Sequence, residues 1–180
     1  MLPETISPPL SSDSTLPSII VVGLGNPILG DDGVGWKVAE EVKSRLEEKS
    51  TGFPQPLPVE VECCSLGGLS LMEQLIGFDS AIIVDAFAVD RPVGTVFAID
   101  LEELPIHSSL HAASAHDTSL QNALAMGRTM GARLPKEVTL VGVATEQQYE
   151  FSEELTPNVA AAVPQAVQIV LNLIFRGDTK

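Results

Sequence analysis

The chain has 180 residues, with 10 Lys or Arg against 24 Asp or Glu and a formal net charge of −14. At roughly 150 residues per domain this length is about one domain, and 44% apolar with 19% charged residues excludes disorder of the whole chain. The acidic balance repels phosphate backbones and anionic lipid surfaces, which excludes generic nucleic-acid binding and disfavours the membrane.

Residues 1–18 are rich in Pro and Ser and lack periodicity, so they read as a mobile tail. No basic residue precedes their apolar positions, unlike a signal peptide. The β-branched run Ile19–Val22, ending in Gly23, suits a strand buried on both faces. Val34, Val38, Val42 and Leu46 recur every four residues, which predicts a helix from Val34 to about Glu48. A turn-rich connection over 50–58 leads to a strand at Val59–Cys64, and Gly67-Gly68 opens a short helix over Leu69–Ile76. A third strand, Ala81–Val84, ends at Asp85. The connection to a fourth, Thr95–Ile99, is too short for a helical crossover, so this strand is expected to be antiparallel at an edge.

A loop over 102–117 contains all three histidines. A helix over Ser119–Met130 and a strand over Val138–Val143 come next. The last helix starts at Thr156-Pro157, an N-cap followed by Pro at the first helical position, and Pro164 is expected to kink it. Pro164, Gln165, Gln168 and Asn172 interrupt its apolar stretch, so it reads as a packed helix and not a membrane span. Strands alternating with helices imply one mainly parallel sheet of about five strands, covered on both faces, over 19–175, with a short tail at 176–180. In such sheets ligands bind outside the C-terminal strand ends.

Three positions lie at those ends. The loop Gly23-Leu24-Gly25-Asn26-Pro27-Ile28-Leu29-Gly30-Asp31-Asp32-Gly33-Val34-Gly35 joins the first strand to the first helix. It is not a dinucleotide fingerprint, because Ile28 stands where the third Gly belongs and two acids would repel a pyrophosphate at the helix start. One acid is expected to cap the helix, Asp31 before Asp32, leaving Asp32 to project into the cleft. Asp85 follows the third strand, and His116 precedes a helix. Two carboxylates and an imidazole from three loops suit Zn, Ni, Fe or Mn with open positions. A receiver-type phosphotransfer site fits worse, since Asp31-Asp32 lies a full loop after the first strand and no Lys follows Val143. His107 and His111 have no comparable placement.

The opening motif resembles that of the hydrogenase maturation endopeptidases. Ala81-Ile82-Ile83-Val84-Asp85-Ala86, Ser114-Ala115-His116-Asp117-Thr118-Ser119-Leu120 and Thr139-Leu140-Val141-Gly142-Val143 are similar to their later motifs in the same order. The resemblance covers about Ile19 to Ile174. It implies a three-layer α/β/α fold and removal of a C-terminal extension from the large subunit precursor of nickel–iron hydrogenase after nickel insertion. It also implies that Asp32, Asp85 and His116 contact the metal, with Asp32 where some members carry Glu. The nickel would be carried by the substrate and the resting enzyme would be metal-free. A non-enzymatic nickel-sensing chaperone of the same fold is the alternative.

Cys63 and Cys64 are adjacent, expected in the core and unable to form a long-range staple with each other. The cysteine usage suits a reducing cytoplasm, the acidic charge disfavours nucleic-acid and membrane partners, and a monomer is the default expectation. No G-x-S-x-G elbow is present. Met72 is expected in the core, and Trp36, at the start of the first helix, in an ordinary packing role.

Overall fold

The computed structural model describes residues 18–50, 58–103, 115–146 and 151–176, and leaves out the side chains of 49–50, 115–119 and 176. The expected N-terminal tail, most of the 50–58 connection, His107, His111 and the last four residues lie outside the described residues.

Five strands form one sheet in the order β2-β1-β3-β5-β4. They are β1 (Ile19–Leu24), β2 (Val59–Cys64), β3 (Ser80–Ala88), β4 (Val96–Asp100) and β5 (Glu137–Thr145). All neighbours are parallel except β4, which runs antiparallel to β5 at the edge as expected. The helices are α1 (Val34–Ser50), α2 (Gly68–Gln74), α3 (Ala115–Thr129) and α4 (Pro157–Arg176).

Alternation along the strands sorts the core into two halves. Ile20, Val22, Leu24, Ile83 and Phe87 pack with Leu71 and Met72 of α2, with Leu75 just after it, and with Leu120 and Leu124 of α3. Val21, Ile82, Val84, Val141 and Val143 pack with Val38 and Val42 of α1 and Val159, Val167 and Val170 of α4. The architecture is therefore three-layer α/β/α. Apolar as it is, α4 lays Val159, Ala162, Ala166, Val170 and Ile174 into this core, and it continues through Pro164 to Arg176.

Three expectations need correction. The third strand does not end at Asp85. Its ladder with β5 continues from Asp85↔Gly142 to Ala88↔Thr145, so Asp85 lies inside β3. The helix expected from Ser119 starts at Ala115, which places the backbone of His116 in its first turn and not in the preceding loop. Pairing only with β1, β2 is an edge strand, so Cys63 and Cys64 are half-buried free thiols and not core residues. Trp36 has a packing role at the start of α1, half-buried with its indole N–H donating to the Cys64 carbonyl at 3.3 Å.

Candidate functional site

The chain leaves β1 toward β2 on one side and later returns to lay β3 on the other. Such a reversal opens a crevice between the two central strands at their C-terminal ends, where α/β sheets bind ligands. Asp32 follows β1, and Asp85 sits in β3 just past its last partner on β1, the Gly23↔Val84 pair. The sheet order thus places the loop that carries Asp32 and the Asp85 position at the same end of the two central strands.

Two glycines let this corner close. Gly25 has φ +118°, and a Cβ there would fall 1.8 Å from the Asp32 carbonyl oxygen. At Gly35 a Cβ would fall 2.2 Å from the carbonyl oxygen of Leu24 and 2.4 Å from that of Val84. With no side chain at either position, the loop doubles back on itself and α1 starts in contact with the central strands.

Asp31 and Asp32 lie in a 3-10 turn over Gly30–Gly33, ahead of α1. The expected helix cap at Asp31 is not made. Its Oδ1 accepts the Thr156 N–H at 2.7 Å and its Oδ2 the Thr156 hydroxyl at 2.8 Å, so it ties the turn to the start of α4. Asp32 turns back toward its own loop, and its Oδ2 accepts the Asn26 N–H at 2.7 Å. The Asn26 side-chain oxygen in turn accepts the Ile28 N–H at 3.2 Å. Asp32 is half-buried.

Asp85 is 5% exposed. Alternation turns it toward the α2–α3 layer, between Ile83 and Phe87 on the same face. Its Oδ1 accepts the Ala86 N–H at 2.9 Å. Across the sheet, Cys64 pairs with Leu24. Burial, and behind it the Glu62 and Asp85 charges, raise the Cys64 thiol above its ordinary value, against a backbone hydrogen bond with Leu66. A thiol held neutral is a poor nucleophile. Ser65, next in the chain, donates its hydroxyl to the Gly25 carbonyl at 2.6 Å, fastening the end of β2 to the glycine loop.

The placement of the His116 backbone follows from the course of α3. The far end of α3 is held at the opposite edge, where Ala132 N–H donates to Gly127 and Gly77 N–H to Arg133, just before β3 begins. Fifteen helical residues span about 22 Å, close to the length of the strands they cover. The first turn of α3 therefore lies toward the C-terminal strand ends, though the His116 side chain is outside the described residues. No group of three or more His, Cys, Asp or Glu able to hold a metal ion occurs among the described residues. The chemistry on offer is that of two carboxylate oxygen donors, one buried and one half-exposed.

Sequence reasoning missed Asn26 and Thr156, which orient the two acids of the turn. Asn26 was legible in principle, because Asn followed by Pro marks a turn. Thr156 was not, because 125 residues separate it from Asp31.

The family model described as hydrogenase maturation protease matches residues 37–173. The hydrogenase 2 maturation protease of Escherichia coli K12 is 31% identical over 154 residues, covering 85% of this chain and 88% of the relative. The hydrogenase expression/formation protein HoxM of Azotobacter vinelandii is 28% identical over 160 residues, covering 89% of this chain and 73% of HoxM. Among solved structures, the hydrogenase maturating endopeptidase HybD of E. coli superposes with a TM-score of 0.68 at 29% identity, covering 88% of this chain and 93% of HybD.

Proposed function

The chain belongs to the hydrogenase maturation protease family, and on that premise we propose that it removes the C-terminal extension of a nickel–iron hydrogenase large subunit precursor once nickel has been inserted. What supports this reading is that the Asp32 loop and Asp85 both lie at the C-terminal ends of β1 and β3, where the sheet order predicts a ligand. In this reading nickel arrives with the substrate and meets Asp32, Asp85 and His116, so that the donors report whether the precursor is loaded. Oxygen and imidazole donors suit nickel.

The two carboxylates divide the work by exposure. Asp85 is the buried, fixed donor. Asp32 is half-exposed, and its Oδ1 has no hydrogen bond among the described residues. That open oxygen supports Asp32 as the group that takes a proton from the attacking water. The water oxygen bonds to the scissile carbonyl carbon, the C–N bond breaks, and the proton passes to the leaving amine. The nickel would polarise the same carbonyl. The free thiols Cys63 and Cys64 accord with the reducing cytoplasm in which this reading places the protein.

The test is the intact mass of nickel-loaded precursor incubated with wild type, Asp32→Asn, Asp85→Asn and His116→Ala. Loss of a general base costs about 100- to 10,000-fold, so Asp32→Asn should leave the precursor uncut on the wild-type timescale. Cleavage by all three variants at the wild-type rate would overturn the assignment. Tight binding by the wild type without mass loss would instead make the protein a nickel-sensing chaperone.

A further inference from the structure

We propose that Asp31 and Thr156 form a positioning clamp that sets the direction of the Asp32 carboxylate, and that neither touches the substrate. The inference rests on the reading of Asp32 as the working carboxylate. Four hydrogen bonds tie the Asp32 loop to the segment ahead of α4. Gly30 N–H donates to the Ser152 carbonyl at 2.7 Å and Ser152 N–H to the Ile28 carbonyl at 3.1 Å, a short strand-like bridge. Thr156 N–H and hydroxyl then hold the two Asp31 oxygens at 2.7 and 2.8 Å.

The anchor end is rigid. The Thr156 carbonyl accepts the Ala160 N–H at 2.8 Å, so Thr156 starts α4, whose 20 residues are fixed by the buried Val159, Ala162 and Ala166. The carried end follows from helix geometry. A 3-10 turn has about three residues per turn, so neighbouring side chains diverge by about 120°. Fixing Asp31 against α4 therefore turns Asp32 away, toward the Asn26 N–H that it accepts. A two-point hold on one residue fixes the rotation of the next. These bonds lie at the surface, so breaking them loosens the turn without unfolding the domain.

Asp31 also borders a cavity of about 380 Å³ shared with Glu146 and Asn158, and a substrate-binding role for it there is the competing outcome. The experiment is steady-state processing of nickel-loaded precursor by the full chain, alongside thermal unfolding of each variant. Asp31→Ala and Thr156→Val should each lower kcat about 10- to 100-fold at unchanged KM, the cost of about 1 Å of misplacement. The double variant should be no worse than the worse single one, because the pair acts as a unit. Thr156→Ser keeps both donors and should restore the wild-type rate. Raised KM at unchanged kcat would show instead that Asp31 binds substrate, and multiplicative losses would show that the two residues act separately. Either result overturns the clamp. With Asp32→Asn inactive, wild-type rates in Asp31→Ala and Thr156→Val overturn the clamp alone. An active Asp32→Asn removes the reading beneath it.

Discussion

Gly35 and Gly127 are both helical glycines, and the same substitution should be costly at the first and nearly neutral at the second. A Cβ at Gly35 falls 2.2 Å from the Leu24 oxygen and 2.4 Å from the Val84 oxygen. Both are backbone atoms of central strands and cannot step aside, so α1 has to lift away from the sheet. Overpacking of this kind costs about 1–3 kcal/mol, and two backbone contacts place it at the upper end. Alanine returns less than about 1 kcal/mol of helix propensity. The net loss is about 2 kcal/mol, a fall in Tm of roughly 4–8 °C for a domain of this size. At Gly127 the added carbon meets Leu134 Cδ1 at 2.8 Å and Met72 Sδ at 2.9 Å. Those are ends of flexible side chains, and Gly127→Ala should stay within about 1 kcal/mol of wild type. Activity should separate the two as well, since Leu24 leads into the Asp32 loop and Val84 precedes Asp85. Thermal unfolding and precursor processing of both variants measure this. A Gly35→Ala protein that unfolds and cleaves like Gly127→Ala would refute the claim that close approach of α1 to β1 and β3 sets the site.

Two further predictions concern pH. Burial, then the Glu40, Cys64 and Glu62 charges, push the Cys63 thiol up to about 11, with Lys43 opposing. The folded protein thus keeps a proton that an unfolded thiol releases near pH 8.5. The resulting stability is complete below that pH and is lost as pH rises through about 11. Cys63→Ser should flatten the alkaline fall in Tm, and an unchanged profile would contradict the assignment. Asp79 is held below the usual carboxylate range, first by the Ser18 N–H and then by Arg133, whose guanidinium lies 2.9 Å away. Its contribution is present above the unfolded carboxyl pKa of about 3.9 and is lost as pH falls through the folded value. Asp79→Asn should therefore lower Tm at neutral pH, and the gap should close in strong acid. A gap independent of pH would show that charge plays no part.

Local pattern carried the helices and strands well, because each rests on its own periodicity. Val34, Val38, Val42 and Leu46 mark α1 and are buried as their spacing requires. What local pattern could not supply was order in space. Nothing in Val59–Cys64 says that β2 has only one neighbour, so its cysteines looked internal. The polar Asp85 looked like a strand end, yet β5 reaches past it to Thr145 and holds β3 in the ladder. The two acids of the 3-10 turn were legible as a pair. Their different hydrogen-bond partners were not, because Thr156 competes for Asp31 from the far end of the chain. The mainly parallel sheet, and with it where the C-terminal strand ends lie, was legible from the alternation of strands and helices alone.

The central claim is that this protease reads nickel in its substrate through the crevice carboxylates. Its most direct test is the intact mass of one precursor, prepared nickel-loaded and nickel-free, before and after incubation with the wild-type chain. Loss of a C-terminal peptide from the loaded precursor alone is the predicted result. Equal cleavage of both forms would contradict nickel recognition, whatever role Asp32 and Asp85 then play in peptide hydrolysis.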